Sequence, residues 1–292
     1  MKKEGVIAMD RILAVAIGKV GYYTKINAPN PSGVRRYING LIDFLTNPTP
    51  GAYNINKSYT IGVNYYIDYY ECDEEAEDFA TWASATTTAI IFCMSTPIVR
   101  HARDYVRPLD PKIPVVGVFS DARGEGFDRV AYICGVNADR INRGHNYYGT
   151  FKANYSGLND IYILCRHGNK ASDGALADIR NHYTVNDNQV LDVRRRTDIP
   201  TLVSSVPSGS GLLVLPVDVF FADSGAIISS AANNVPIFWS AGEFTYPTQY
   251  NKALYYGASQ YACGGVVGQQ VQYIFYNEKM PSTQVLPVNP DY

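Results

Sequence analysis

The stretch Lys112-Ile113-Pro114-Val115-Val116-Gly117-Val118-Phe119-Ser120-Asp121 decides the fold class of this chain. Five residues without a polar side chain follow a proline and end abruptly on a hydroxyl and a carboxylate. A short continuous apolar run bounded by such signals reads as a strand covered on both faces, and a proline is tolerated in its first position. Six further runs repeat the pattern: Ile12–Ile17, Tyr59–Tyr65, Ala89–Cys93, Ile161–Cys165, Leu212–Leu215 and Ile237–Trp239. Between most of them lies enough chain for one helix and two loops. Strands alternating with helices make βαβ units and a parallel sheet, so the class is α/β.

The bulk properties agree with that reading. The chain has 292 residues, 46% of them apolar and 18% charged, enough for one large domain or two lobes with proper cores. A net charge of −2 gives no basic face for nucleic acid, and no apolar run reaches the length of a membrane span, so neither partner is expected. Tyr is over-used, at 24 against 11 Phe and 2 Trp, and its polar tip suits surfaces and ligand walls as well as core edges. The five cysteines form no zinc or redox spacing, and Cys93 and Cys165 each close an apolar strand, where a reduced, buried thiol is expected. Ile12–Ile17 is too short for a signal-peptide core. The compartment read from the sequence is therefore cytoplasmic, or periplasmic or extracellular if the natural gene encodes a signal ahead of Met1.

The strands fall into two sets. Lobe one is expected over residues 1–121 and 258–292, with helices near Gly33–Leu45, Asp73–Ser84 and Pro97–Val106. Lobe two is expected over residues 122–257, with helices near Ala138–Ala153, Ser172–Tyr183 and Val217–Asn233 and an additional strand at Gln189–Val193. Ile113-Pro114-Val115-Val116 is echoed by Val235-Pro236-Ile237-Phe238 and more faintly at Ile199-Pro200, which implies two similar lobes. The helical stretch Gln260–Tyr276 and a final strand at Gln284–Val288 follow once lobe two is complete, so they should cross back to lobe one.

This order resembles the type I periplasmic binding proteins, specifically the ABC-transporter substrate-binding group with amino-acid ligands. Lys112–Asp121, Leu212–Asp218, Asn234–Phe238, Gly257-Ala258-Ser259 leading to Gly264–Gln270, and Met280-Pro281 before Val285–Val288 carry the resemblance. It covers roughly residues 10 to 288 and departs from the family in the Tyr-rich segment Tyr53–Tyr70. The resemblance implies two Rossmann-like lobes with mainly parallel sheets, a hinge and an inter-lobe cleft. It also implies a small polar ligand held there, an amino acid in the first instance, and an ABC permease as partner if the protein is exported.

In open parallel sheets ligands bind beyond the carboxyl ends of the strands. The groups at those positions are Tyr22, Tyr23, Ser95, Thr96, Ser120, Asp121, Arg166, Asp218 and Glu243, and these are the candidate ligand-binding residues. Ser95, Thr96 and Ser120 suit an anionic end beside a helix start, Asp218 or Glu243 a cationic group, and Tyr22 or Tyr23 an apolar wall. Simple capping of the following helix or turn is the competing role for Ser95, Thr96 and Asp121, and one residue can serve both. No nucleophile–base pair or cofactor loop emerges: Gly209-Ser210-Gly211 lacks the spacers of a hydrolase elbow, and Gly168–Ser172 lacks the first glycine of a phosphate loop. No two of the four histidines lie four residues apart, and neither a metal site, a cofactor nor an enzyme is expected. The alternative to a solute-binding protein is the same fold repurposed for self-assembly, as a homo-oligomer or larger array. The Tyr-rich surface and the tail Asn289-Pro290-Asp291-Tyr292 suggest it.

Overall fold

A computed structural model describes residues 11–18, 33–49, 51–72, 81, 88–106, 108–109, 112–138, 141–166, 168–215, 225–232, 235–240, 253–255 and 260–288. By compactness the chain forms two units: Met1–Ala138 with Gln260–Val288, and Asp139–Ser259 with Asn289–Tyr292. Each contains one sheet whose recorded pairings are all parallel.

The strands of the first unit are β1 (Arg11–Gly18), β2 (Tyr65–Cys72), β3 (Thr88–Cys93), β4 (Val115–Phe119), β5 (Ile133–Asn137) and β11 (Val285–Pro287). Their order is β11-β5-β4-β3-β1-β2. The helices are α1 (Gly33–Thr46), α2 (Thr96–Val106) and α7 (Gln260–Asn277). Successive strand residues point to opposite faces. Ile91, Cys93, Val115, Phe119 and Ile133 accordingly pack with Ile98, Val99, Ala102 and Val106 of α2 in one buried cluster. The alternate residues Ile90, Phe92, Val116, Cys134 and Val136 are buried too, as are Leu41 and Leu45 of α1 and Val267 and Val271 of α7. The helix α7 and strand β11 lie in this first unit, as the crossing back of the tail requires. Gln270 of α7 fastens them by donating to the carbonyls of Gly135 and Gln284, each at 3.0 Å.

The second unit repeats the plan. Its strands are β6 (Ile161–Cys165), β7 (Val190–Asp192), β8 (Gly211–Val214), β9 (Ile237–Trp239) and β10 (Ala253–Tyr255), in the order β10-β9-β8-β6-β7. The helices are α3 (Gly144–Asn154), α4 (Lys170–His182), α5 (Ile199–Ser204) and α6 (Gly225–Ala231). Ile161, Ile163, Leu213 and Phe238 pack with Tyr147 and Phe151 of α3 and Ala175 and Ile179 of α4. Leu164, Leu212, Val214 and Trp239 pack with Ile199 and Val203 of α5 and Ile228 of α6. The inner strands β3, β4, β6, β8 and β9 are therefore apolar and buried, which is why they are legible as unbroken runs.

Four expectations change. Tyr59–Tyr65 is not a strand: Gly62 turns the chain at φ 79°, its N–H donates to the Tyr65 carbonyl at 2.8 Å, and β2 begins only at Tyr65. As the terminal strand of its sheet, β2 carries Asp68 and Glu71 among its tyrosines and so shows no continuous apolar run. Ile133–Asn137 is a strand paired to β4, so residues 122–138 belong with the first sheet and the passage to the second unit falls at 138, not 121. Ile199-Pro200 does not precede a strand; the proline sits in the first turn of α5, where its missing N–H costs nothing. The helix expected over Ala138–Ala153 starts later, at Gly144. The expected helix Asp73–Ser84 lies outside the described residues except for Thr81, and that over Val217–Asn233 is described only as α6.

Candidate functional site

The order β2-β1-β3-β4-β5 of the first sheet is repeated by β7-β6-β8-β9-β10 in the second, which gives each sheet one topological switch point. In the first unit the sequence runs outward from β1 to β2, then resumes on the other side with β3, β4 and β5. In the second it runs from β6 to β7, then resumes with β8, β9 and β10. Adjacent strands whose connections leave in opposite directions open a crevice at their carboxyl ends, and ligands of doubly wound sheets bind there. The two switch points are β1/β3 and β6/β8. Tyr22 and Tyr23 follow β1, Ser95 and Thr96 follow β3, Arg166 follows β6, and Asp218 follows β8. Tyr22, Tyr23, Asp218 and Glu243 lie outside the described residues.

The described part of the first switch point is organised by Thr96. Thr96 is buried at the start of α2, and its Oγ1 accepts the backbone N–H of Ser120 at 3.0 Å, joining the ends of β3 and β4. The Ser95 carbonyl accepts the N–H of Val99 at 3.0 Å, the first turn of α2, which places Ser95 at the helix cap. Ser95 and Ser120 are both half-buried. Ser95 and Thr96 thus lie at the helix N-terminus with the Ser120 backbone fastened beside them, a position where backbone amides and the helix dipole favour an anion. Asp121 is placed differently. Its Oδ1 accepts the N–H of Gly124 at 2.9 Å, and a Cβ at Gly124 would lie 1.9 Å from Oδ2, so the carboxylate is folded onto its own turn.

In the second unit Arg166 is half-buried directly after β6. Its N–H donates to Ser172 Oγ at 3.4 Å, and its carbonyl accepts from Asn169. Asn169 in turn caps α4, accepting the N–H groups of Ala171 and Ser172 at 3.1 Å each. Partial burial lowers the Arg166 pKa, so desolvation favours an anionic partner for this guanidinium. Ser240, directly after β9, is a further hydroxyl at a strand end. Its Oγ is buried and has no hydrogen-bond partner among the described residues. The signal is the position itself, a hydroxyl immediately beyond Ile237-Phe238-Trp239.

Two other features lie apart from these strand ends. A groove of about 340 Å³ is lined by Tyr53, Asn56, Lys57, Tyr273, Tyr276 and Asn277. Arg11, the first residue of β1, donates to the Phe275 carbonyl at 2.7 Å, so this groove lies toward the amino ends of the strands. Against the expectation of no metal-ligating cluster, the fold brings His145, Asp178 and His182 together. Asp178 and His182 are four residues apart on α4, and that spacing is the part of the signal the sequence carries. Among the described residues, no helix is long and apolar enough to cross a membrane.

No protein-family model matches the sequence, and no curated protein matches it. Solved structures do. The ABC domain in complex with L-Trp from Streptococcus pneumonia is 15% identical, with a TM-score of 0.63 over 96% of this chain and 90% of that one. CD0873, a substrate binding protein with adhesive properties from Clostridium difficile, is 16% identical, with a TM-score of 0.63 over 97% and 90%. A LacI family transcriptional regulator from Enterococcus faecalis V583 with bound ribose is 12% identical, with a TM-score of 0.60 over 97% and 97%. The chain therefore has the type I periplasmic-binding-protein-like fold, with binding proteins and regulators as its structural relatives.

Proposed function

We propose that the chain is a solute-binding protein whose ligand is a small polar molecule with a carboxylate, of the amino-acid class. The observation that carries this reading is the hydroxyl group of Thr96, held by Ser120 N–H at a topological switch point beside the start of α2, with Ser95 and Ser120 around it. Small donors at a helix N-terminus suit a carboxylate better than a neutral sugar. The L-Trp complex among the structural relatives is consistent with the same class. Asp218 is assigned to the ligand ammonium and Arg166 to a second anionic or polar group, both from their positions after β8 and β6.

Isothermal calorimetry against a panel of amino acids, with ribose as the contrasting class, tests the reading. A hydrogen bond to a charged partner contributes about 1.5–3 kcal/mol. Asp218→Ala should therefore weaken amino-acid binding about ten- to a hundredfold. Heat with ribose and with no amino acid would overturn the ligand class, and no heat with any solute would overturn the function.

A second reading, self-association, is favoured by one observation. β2 is the terminal strand of the first sheet's recorded order, and Val63, Tyr66 and Tyr69 on and beside it are 68%, 44% and 39% exposed. Exposed edge strands with apolar side chains pair readily with other chains. Light scattering across a concentration series decides it: a monomer at every concentration rejects assembly.

A further inference from the structure

We propose that His145, Asp178 and His182 form a binding site for a divalent transition-metal ion, clasping α3 to α4 in the second unit. Asp178 and His182 share one face of α4 because they are four residues apart. His145 comes from the first turn of α3, 33 residues upstream. Gly144 lets it approach: a Cβ there would lie 1.9 Å from the Ala175 carbonyl oxygen, so only glycine allows α3 to rest directly on α4.

The hydrogen bonds assign the ring protons. His145 Nδ1 lies 2.7 Å from Asp178 Oδ2, and His182 Nδ1 lies 2.8 Å from the Asp178 carbonyl oxygen. Both partners are acceptors, so without an ion both rings carry their proton on Nδ1; an ion entering the cluster takes the place of those protons, each neutral ring shifting to the Nε2–H tautomer so that its Nδ1 lone pair stands beside the Asp178 carboxylate. The rings stack with centroids 4.4 Å apart and planes 26° from parallel.

One ligand atom from each of the three residues lies within 4.8 Å of the others. Ligands about 2.0–2.2 Å from a common ion stand at most about 4.4 Å apart, so small side-chain rotations complete the set. Two imidazoles and one carboxylate suit Zn²⁺, Ni²⁺ or Cu²⁺ rather than Ca²⁺ or Mg²⁺, which prefer all-oxygen shells. Access is open: the His145, Asp178 and His182 side chains retain 34%, 17% and 51% of their exposure. The buried thiols Cys93, Cys134, Cys165 and Cys263 are not competitors in the folded chain.

The competing role is purely architectural, because Asp178 Oδ2 also accepts the His145 backbone N–H at 2.8 Å and so caps α3. Titration of the chelator-stripped full chain with ZnCl₂ in a calorimeter separates the two. The expected result is one ion per chain, with binding weakened at least about tenfold in His145→Ala and in His182→Ala and about ten- to a hundredfold in Asp178→Asn. The ring ¹⁵N resonances of His145 and His182 in the unmutated chain should move on adding Zn²⁺ while those of buried His101 stay fixed. That measurement stands even if a variant fails to fold. An absence of saturable uptake, uptake unchanged when His145→Ala and His182→Ala are combined, or unmoved His145 and His182 resonances would each overturn the proposal.

Discussion

Gly264→Ala sets two physical effects of opposite sign against each other. In a helix interior alanine is favoured over glycine by about 0.8–1 kcal/mol, so propensity alone predicts a stabilised protein. Packing predicts the reverse. A Cβ at Gly264 in α7 would lie 2.0 Å from the Tyr37 carbonyl oxygen of α1, and a Cβ at Gly40 in α1 would lie 2.0 Å from the Tyr261 carbonyl oxygen of α7. The two helices thus meet backbone to backbone at a reciprocal pair of glycines. Real Cβ atoms essentially never approach closer than 3.0 Å, so α1 and α7 must part locally by 1 Å or more. A gap of that size forfeits a quarter to a half of the dispersion energy of the atoms facing it.

Overpacking costs about 1–3 kcal/mol, and the upper end applies because the obstructing atom is backbone and cannot rotate away. Subtracting the propensity gain leaves a net loss of about 2 kcal/mol. At about 2–4 °C per kcal/mol, the first unit's transition should fall by about 4–8 °C. Gly265→Ala is the control, since its Cβ would meet nothing closer than the Gly40 oxygen at 3.9 Å. It should gain up to about 1 kcal/mol. Thermal unfolding followed by circular dichroism reads both. A Gly264→Ala protein as stable as the parent, or a Gly265→Ala protein destabilised equally, would refute the helix contact.

Thr96→Val removes the acceptor for Ser120 N–H and should cost about 1–3 kcal/mol in urea unfolding, while Thr96→Ser retains most of it; equal losses in the two variants would deny the hydrogen bond. Cys93, Cys134, Cys165 and Cys263 are buried, so a thiol reagent under native conditions should leave all four unmodified, and rapid labelling of Cys165 would be incompatible with its place in the second core. Burial pushes Cys165, Tyr53 and Tyr65 up to about 12 from ordinary values of 9.0, 10.0 and 10.0. Above those ordinary values the unfolded chain releases protons that the folded chain keeps, so stability should fall from about pH 9 towards pH 12, and a urea midpoint constant across that range would contradict it. Phe151→Ala empties a fully buried position between α3 and the second sheet and should cost about 3–5 kcal/mol in that unit's transition.

What the sequence makes legible is continuous burial. β4, β6, β8 and β9 lie inside their sheets with both faces covered, and each appears as an unbroken apolar run. β5 is an inner strand as well, and its Ile133-Cys134-Gly135-Val136 is no less apolar than β4 with its Gly117; its pairing to β4 is what the structure adds. Gly135 is there for packing, since a Cβ would stand 2.0 Å from the Gly117 carbonyl oxygen of β4. β2, last in the strand order of the described residues, is not legible in the same way because Asp68 and Glu71 interrupt its tyrosines. The histidine cluster was half visible. The α4 pair has helical spacing, but His145 reaches it only through a helix contact between segments 33 residues apart.

The same distinction sorts the candidate site residues of the first unit. Sequence position can say which side chains follow a strand, but not how much of their hydrogen-bonding capacity is spent locally. A threonine hydroxyl has two acceptor lone pairs and one proton, and the Ser120 N–H takes one lone pair. The contact therefore ties Thr96 to a residue 24 positions away and leaves the hydroxyl proton to donate, so this structural role is compatible with the proposed ligand contact. Asp121 is the opposite case: its Oδ1 is engaged by Gly124 N–H, and the close approach of Gly124 to Oδ2 holds the carboxylate against its own turn. Moving Asp121 toward a ligand would require breaking that turn, whereas Thr96 can donate without moving. Of the groups that follow β3 and β4, Thr96 is thus the one whose local hydrogen bond leaves a donor in place for the proposed anionic ligand, and Asp121 supports its own loop.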